Sequence, residues 1–558
     1  MQLLKQYPYL SILLLASIVL MPFTGNVHLF DWDEINFAEC AREMIVTNSY
    51  HTPLLNFQPF WEKPPLFIWM QVISMKFFGI NEFAARFPNI INGLITLCLI
   101  FYFGKKWYSM QFAWLWVLIH LGTMLPHLYF RSGIIDPWYN LLGFIFLAGT
   151  MNYIQNKSIF WLIVGSISLG FSMLTKGPAM ILIVFLSIFI LLLFQKDKLK
   201  NISILHLLIS FLVFVLSGVS WFLYEYLSGN EEIIKAFFDY QIRLFKTEDS
   251  GHGGFFFYHF VVILIGCFPA SVLMLSYFSK KTEKDFYSTG MMVLLLVVLI
   301  IFSFVKTKIV HYSSMAYYSV SFLTAYVLNK NISIKNYQKY LLVIIGGLVG
   351  LVLILAGSIE EWKHLIIPYL KKSDVFAAEN LSVNVNWYGW EWILGILILM
   401  IVVWYLKSSI EAFRKNIIFF CALIIWINLT INNSVGKIEQ YSQNSAIVFY
   451  EYCADKNYIV DTYGFKSYAY LFYAKRMPPD SLQKMEIEKY LQNLENAGYD
   501  KVLSYNLAYL NWLINGSQYP AFLVCKIQDE ENVLKTGRFK KLYSKGGYVF
   551  FMKLPSVQ

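Results

Sequence analysis

PYLSILLLASIVLMPFTG at residues 8–25 and DWDEINFAECAREM at 31–44 decide the reading of this chain. The first is an apolar run close to the ~20 residues that cross a bilayer as a helix. Lys5 precedes it, no small-residue cleavage site follows, and more apolar runs come after it. An uncleaved first span is therefore expected rather than a removed signal peptide. The second stretch opens with three acids and continues with Ile35, Ala38, Met44 and Ile45 at roughly helical spacing, opposite Glu39, Arg42 and Glu43. That pattern predicts a helix lying on the membrane surface, with Asp33 and Glu34 at its start. Two readings of these acids stay open. Asp31 or Asp33 can cap the helix, or a carboxylate at this boundary can act as general base toward an acceptor hydroxyl.

The rest of the chain agrees with a membrane protein. Of 558 residues, 57% are hydrophobic and 14% charged, against roughly 25% charged in soluble domains. Disorder, collagen and disulfide-scaffold classes are excluded. Apolar runs of spanning length recur near 88–104, 111–129, 137–154, 158–174, 178–194, 203–226, 256–278, 289–305, 312–328, 340–357, 388–406 and 416–432. With the first they predict about thirteen transmembrane helices. The run 65–79 is short, opens with Pro64-Pro65 and carries Gln71 and Lys76.

Charge settles how that run lies. If 65–79 does not cross, one side of the membrane receives Lys105/Lys106, Lys157, Lys196/Lys198/Lys200, Lys280/Lys281/Lys284, Lys330/Lys335/Lys339 and Lys407/Arg414/Lys415. The other receives Asp33, Glu34, Glu62, Asp136, Glu231, Glu232 and Glu360. This is a positive-inside pattern, and it accounts for the net charge of +10 without a nucleic-acid partner. The run 65–79 is then an interfacial or re-entrant helix. Residues 1–435 form the transmembrane domain, with a first outer loop at 26–87 and a second at 227–255. Residues 436–558 are polar and form a small α/β domain on the outer side, with strands expected at Tyr458–Val460, Val502–Ser504, Phe522–Cys525 and Tyr548–Met552 and a helix near Ser481–Ala497. Cys453 and Cys525 can pair if that side is oxidising.

The same topology gathers polar groups on one face. Trp61-Glu62-Lys63-Pro64-Pro65 holds Lys63 on a rigid turn. A held cation there suits a phosphate, or it is a lysine snorkelling from a helix start. Asp136 opens one span, Lys176 lies in the turn LTKGP (174–178), and Lys308 and Tyr312 lie in TKIVHY (307–312). Ionisable groups at membrane depth are costly and mark function. His252, between Gly251 and Gly253, can approach Glu62 to make a two-ligand metal site with open positions. A transporter without chemistry is the competing class, but no inverted repeat is visible.

Beyond these features, the order DE (33–34), AECAREM (38–44), TPLLN (52–56), WEKPPL (61–66), FGINEFAARFPN (78–89), LTKGP and TKIVHY resembles the lipid A aminoarabinose transferase family. That family is grouped with the protein O-mannosyltransferases among the GT-C glycosyltransferases. The block SGHGGFFFYHF (250–260) with GCFPAS (266–271) fits its second outer loop, and the resemblance covers about residues 1–330. It implies a bacterial inner-membrane enzyme with a polyprenyl-phosphate sugar donor, a lipid, glycan or protein acceptor, and a periplasmic active site. It implies Asp33, Glu34 and Asp136 as catalytic acids, and Lys63, Lys176, Lys308 and Tyr312 as donor-phosphate ligands. Glu62 and His252 are implied as ligands of a divalent metal, zinc or manganese. Two departures stand out. Gly253 and Gly254 replace an arginine found in some relatives, and 307–312 lacks a proline. The tail around Asp461–Tyr468 differs too, so the aminoarabinose specificity is not carried over.

Overall fold

The computed structural model describes residues 6–248, 251, 253–456, 458–497 and 501–554, the side chains of 501–503 excepted. Helices cover each of the predicted apolar runs, from Pro8–Leu20 to Ala412–Thr430. Four are long and apolar enough to cross a membrane unaided: Glu82–Trp107, Phe286–Phe304, Asn336–Gly357 and Ala412–Gln440. Two further pairs pass only when joined across a bend, Ile204–Gly218 with Ser220–Leu227 at 48° and Tyr258–Gly266 with Ala270–Phe278 at 108°. The expectation of thirteen spans therefore counts apolar runs rather than full-length helices. Met110–Leu121 has 12 residues and Ile159–Met173 has 15. At 1.5 Å per residue these reach only about 18–23 Å. They stop early because polar turns replace their last helical turns.

Those turns gather at one end of the bundle and the basic loops at the other. At the basic end the Tyr108 hydroxyl donates to both oxygens of Asp285 at 2.8 and 2.9 Å, and Asn156 donates to the Tyr287 hydroxyl at 3.3 Å. This brings the loops after Trp107, Asn156 and Phe278 together. The bent pair Tyr258–Phe278 thus joins the two ends despite its break.

The segment 26–87, expected from sequence as the first outer segment, is built at the polar end. Helix Asp33–Thr47 packs against helix Leu66–Phe78. Between them β1 (Leu54–Leu55) and β2 (Gln58–Pro59) form a two-residue hairpin. Leu66–Phe78 has 13 residues, about 20 Å of helix, the same length as Pro8–Leu20, so its length alone does not separate it from the shorter spans. The helix Asp33–Thr47 is buried from Glu34 through Met44, including Glu39, Arg42 and Glu43. The polar face expected to meet water is therefore covered by protein. The cover is the C-terminal segment, whose Arg476 carbonyl accepts from Arg42 Nη2 at 2.7 Å. Nor does Asp31 or Asp33 cap the helix: Trp32 stands at the N-cap, with no side-chain cap bond, and Asp33 is the first helical residue.

The C-terminal segment forms a four-stranded sheet in the order β3-β4-β6-β5: β3 (Ile459–Tyr463), β4 (Ala521–Lys526), β5 (Phe539–Lys545) and β6 (Tyr548–Lys553). The β3–β4 pair is parallel and the others antiparallel. The expected strand at Val502–Ser504 is instead part of helix Lys501–Asn515. The buried Ala508, Tyr509, Trp512 and Leu513 continue that run at helical rather than alternating spacing. Alternation along β4 sends Phe522 and Val524 toward the first outer segment and Leu523 and Cys525 to the opposite face. Cys453 packs on the first of these faces, so the sheet separates it from Cys525. Both are buried free thiols.

Candidate active site

A cavity of about 170 Å³ opens at the polar end of the bundle. It is lined by Asp33, Glu62, Lys63, Asp136, Lys176 and Tyr312, six of the residues singled out by sequence. His311 and Tyr240 join them. The wall below is apolar, with Met180, Ile183, Leu244, Phe245, Phe302 and Ile309.

Local structure explains how distant motifs meet. The Leu66 N–H donates to the Leu174 carbonyl at 3.1 Å, tying the EKPP turn to the LTKGP turn. Gly177 has φ +112°, and a Cβ there would lie 2.8 Å from Phe237 Cζ. Only glycine lets this turn close over the helix Glu231–Lys246. Lys63 Nζ lies 4.8 Å from the Tyr240 ring and Lys176 Nζ 5.0 Å from the Tyr312 ring. Both are cation–π distances.

Lys176 donates to Asp136 Oδ1 at 2.7 Å. The other Asp136 oxygen is buried with no hydrogen-bond partner and lies 3.8 Å from His311 Nε2. The same nitrogen, His311 Nε2, is 3.5 Å from Asp33 Oδ2. The imidazole thus lies between two carboxylates, one buried and one, Asp33, 39% exposed. Burial holds the His311 pKa below its ordinary value; Asp136 and Asp33 oppose this, while Lys176 and Lys63 reinforce it. Burial likewise depresses Lys63, with Glu62, Asp33 and Asp136 pulling it back up and Lys176 pushing it down. Asn36, one helical turn after Asp33, also lines the cavity and has a buried oxygen without a partner.

The C-terminal segment fixes the loop that carries Asp33. Gln443 donates to the Leu29 carbonyl at 2.7 Å and accepts from the Asp31 N–H at 3.2 Å. The Tyr473 hydroxyl accepts from the Leu29 N–H at 2.7 Å. Three bonds from two residues thus pin the loop that carries Asp33, whose carboxylate faces His311.

Two expected residues lie off this cavity, and a third falls outside the described residues. Glu34 does not line this cavity. Its carboxylate is buried and takes Arg86 Nε at 3.0 Å, Arg86 Nη2 at 2.8 Å, the Phe30 N–H at 2.9 Å and the Gly133 N–H. Its oxygens are thus occupied by Arg86 and the loop backbone. Lys308 also lies off the cavity. Its ammonium donates to the Phe302 and Ser303 carbonyls at 2.7 and 2.8 Å, closing the C-terminus of helix Phe286–Phe304. A donor-phosphate role does not follow from that position. His252 lies outside the described residues. Glu62 is the one metal ligand of the expected pair seen at the cavity, and among the described residues no three His, Cys, Asp or Glu side chains are grouped to hold an ion. His311 and Tyr240 were not singled out by sequence. His311 had a signal, since it adjoins Tyr312 in TKIVHY; Tyr240 on its amphipathic helix had none.

Comparison of folds decides the architecture. ArnT from Cupriavidus metallidurans, solved bound to undecaprenyl phosphate, superposes with a TM-score of 0.75 over 98% of each chain at 17% identity. Its apo form gives 0.76. The chain has the GT-C fold. Sequence places other proteins beside this GT-C chain. Residues 62–221 match the family model described as dolichyl-phosphate-mannose-protein mannosyltransferase. The undecaprenyl phosphate-alpha-4-amino-4-deoxy-L-arabinose arabinosyl transferase of Wigglesworthia glossinidia brevipalpis is 30% identical over 343 residues, 59% of this chain and 60% of that protein. An uncharacterized protein of Aquifex aeolicus is 29% identical over 374 residues, 65% of this chain and 83% of its own length. The chain thus spans about 60% of the length of the arabinosyl transferase. The family model begins at Glu62 and covers the EKPP and LTKGP turns, which are the two lysine-bearing walls of the cavity.

Proposed function

We propose that this GT-C protein is a glycosyltransferase that moves a sugar from a polyprenyl-phosphate donor to a lipid or glycan acceptor at the periplasmic face of the bacterial inner membrane. One observation carries the reading: two lysines, an exposed carboxylate and a histidine converge at the mouth of a cavity whose wall is apolar. The isoprenoid lies along that wall, by Met180, Ile183, Leu244 and Phe245. Its phosphate meets Lys63, Lys176 and Tyr312, which stabilise the charge left on the departing phosphate. The arabinosyl transferase relative and the undecaprenyl phosphate complex of ArnT support this donor class. The gathering of the basic loops at the opposite end supports a periplasmic cavity.

The bond between the anomeric carbon and the phosphate oxygen breaks as the acceptor oxygen attacks from the opposite face. A single in-line displacement inverts the anomeric centre. An acceptor hydroxyl gives its proton to Asp33, and His311 at 3.5 Å orients that carboxylate. If the acceptor oxygen is already ionised, Asp33 positions it instead. A metal held by Glu62 and His252 would add positive charge beside the phosphate; no step here passes through it. The mannosyltransferase model over 62–221 keeps a protein acceptor as the second reading. Mass spectrometry of envelope lipids and glycans, with and without the gene, tests the proposal. A missing hexose, pentose or aminosugar on a lipid or glycan is expected. Unchanged lipids and glycans together with a lost protein glycan would favour the second reading.

A further inference from the structure

A second cavity of about 400 Å³ lies behind the site and shares His311 with it. Its walls come from the loop after the first helix, the turn 128–134 and the end of the last span, with Ile431 and Val435. Glu34, next in sequence to Asp33, also lines it, so the two cavities are separated by little more than Asp33, Glu34 and His311.

Its charges do not balance. Arg86 is matched by Glu34. Arg131, only 7% exposed, is not matched. Its Nη1 donates to Asn428 Oδ1 at 3.2 Å, and its Nη2 donates to the Pro22 carbonyl and Asn432 Oδ1, both at 2.7 Å. All three acceptors are neutral. Its Nε is buried with no partner, and among the described residues no carboxylate pairs with it. Burial and the neighbouring Arg86 push its pKa down to about 10, which still leaves it charged at neutral pH. A buried guanidinium without a counter-ion is costly unless a ligand supplies one. Phe23, 61% exposed, stands with Leu128 and Val435 as an apolar approach, suited to the chain of a lipid.

We infer that this second cavity binds the anionic group of an amphiphilic acceptor, with Arg131 as its cation. This rests on the transferase reading and deepens it. The donor phosphate is held on one side of the Asp33–His311 pair, and the acceptor's phosphate or carboxylate on the other. The acceptor oxygen is thereby presented between them.

The full chain in detergent is titrated with phosphatidic acid, diacylglycerol and inorganic phosphate and read by native mass spectrometry. Arg131→Gln should weaken one phosphatidic acid equivalent at least tenfold, and Arg131→Lys should restore part of it. Because Arg131 also ties the Pro22 carbonyl to the Asn428 and Asn432 side chains, Val435→Trp supplies an independent test. It fills the cavity, leaves the guanidinium in place, and should cause the same loss. Diacylglycerol should not occupy the site, and inorganic phosphate should bind at least tenfold more weakly than phosphatidic acid. Wild-type phosphatidic acid binding in both variants would overturn the proposal. So would inorganic phosphate binding as tightly as the lipid, since the ligand would then be a free anion. Undecaprenyl phosphate in the same assay reads the donor cavity separately. Its binding should depend on Lys63 and not on Arg131. Indifference to Lys63→Ala would refute the donor reading while leaving the Arg131 site standing.

Discussion

Replacing Glu34 by glutamine separates structural from catalytic acids in the first loop. Glu34 and Arg86 are 5% and 4% exposed, and the carboxylate accepts two guanidinium bonds and two backbone N–H bonds. Breaking a buried pair from one side costs about 3–5 kcal/mol, mostly for the charge left behind. Here Arg86 keeps the Thr24, Val27 and His28 carbonyls, so the loss belongs at the low end, about 3 kcal/mol. Removing Arg86 as well relieves the stranded charge. A Glu34→Gln/Arg86→Gln double-mutant cycle should therefore show coupling of about 2–3 kcal/mol. Reversible denaturant unfolding in detergent micelles, followed by tryptophan fluorescence, measures it. The pH dependence has a definite sign. Burial raises the Glu34 pKa, but Arg86 and the hydrogen bonds outweigh it, and the net shift is downward from 4.5. The stabilisation is then complete above pH 4.5 and is lost as pH falls through the lower folded value. Additive single-mutant costs within about 0.5 kcal/mol would refute the reasoning. So would a Glu34→Gln protein as stable as wild type but inactive, which would return Glu34 to the chemistry.

Three further outcomes are expected. Single cysteines at 105 and 282 should be shielded from an impermeant thiol reagent in intact cells, while cysteines at 50 and in the tail should react; reaction at 105 would invert the topology. Because His311 is held below its ordinary 6.5, it is neutral at pH 7. Transfer should fall only as pH drops below that value, and His311→Gln should lose this acid limb; an unchanged acid limb would remove His311 from the site. If Glu62 and His252 hold a metal, the purified protein should contain zinc or manganese and lose activity in excess chelator. Metal-free protein with full activity would leave those two residues as a tie between loops.

Much of the fold was legible because apolar run length and loop charge are local properties. The run 65–79 reads as non-crossing from charge alone; its helix has 13 residues, as does Pro8–Leu20, so charge and not length carries that reading. Span lengths were not legible, since LTKGP and RSGIID shorten helices only once they fold into a shared cavity. The same loop logic placed Asp33, Lys63, Asp136, Lys176 and Tyr312 on one face. It did not show that Arg86, 52 residues on, claims Glu34, or that Lys308 turns back onto the carbonyls of its own preceding helix. Those are partner choices made by tertiary packing. The cover over the polar face of helix Asp33–Thr47 was not legible for a related reason. Glu39, Arg42 and Glu43 look solvent-facing until a domain some 430 residues later covers them.

The most direct test of the central claim is turnover by the purified protein in bilayers. The assay supplies an undecaprenyl-phosphate-linked sugar and envelope lipid extract and follows release of undecaprenyl phosphate. Wild type should release it with transfer of the sugar. Asp33→Asn should lower the rate at saturating donor by about 10²–10⁴-fold, the scale of general base catalysis, while still binding donor. A rate within twofold of wild type for Asp33→Asn, or no donor turnover by the wild-type protein, would contradict the account.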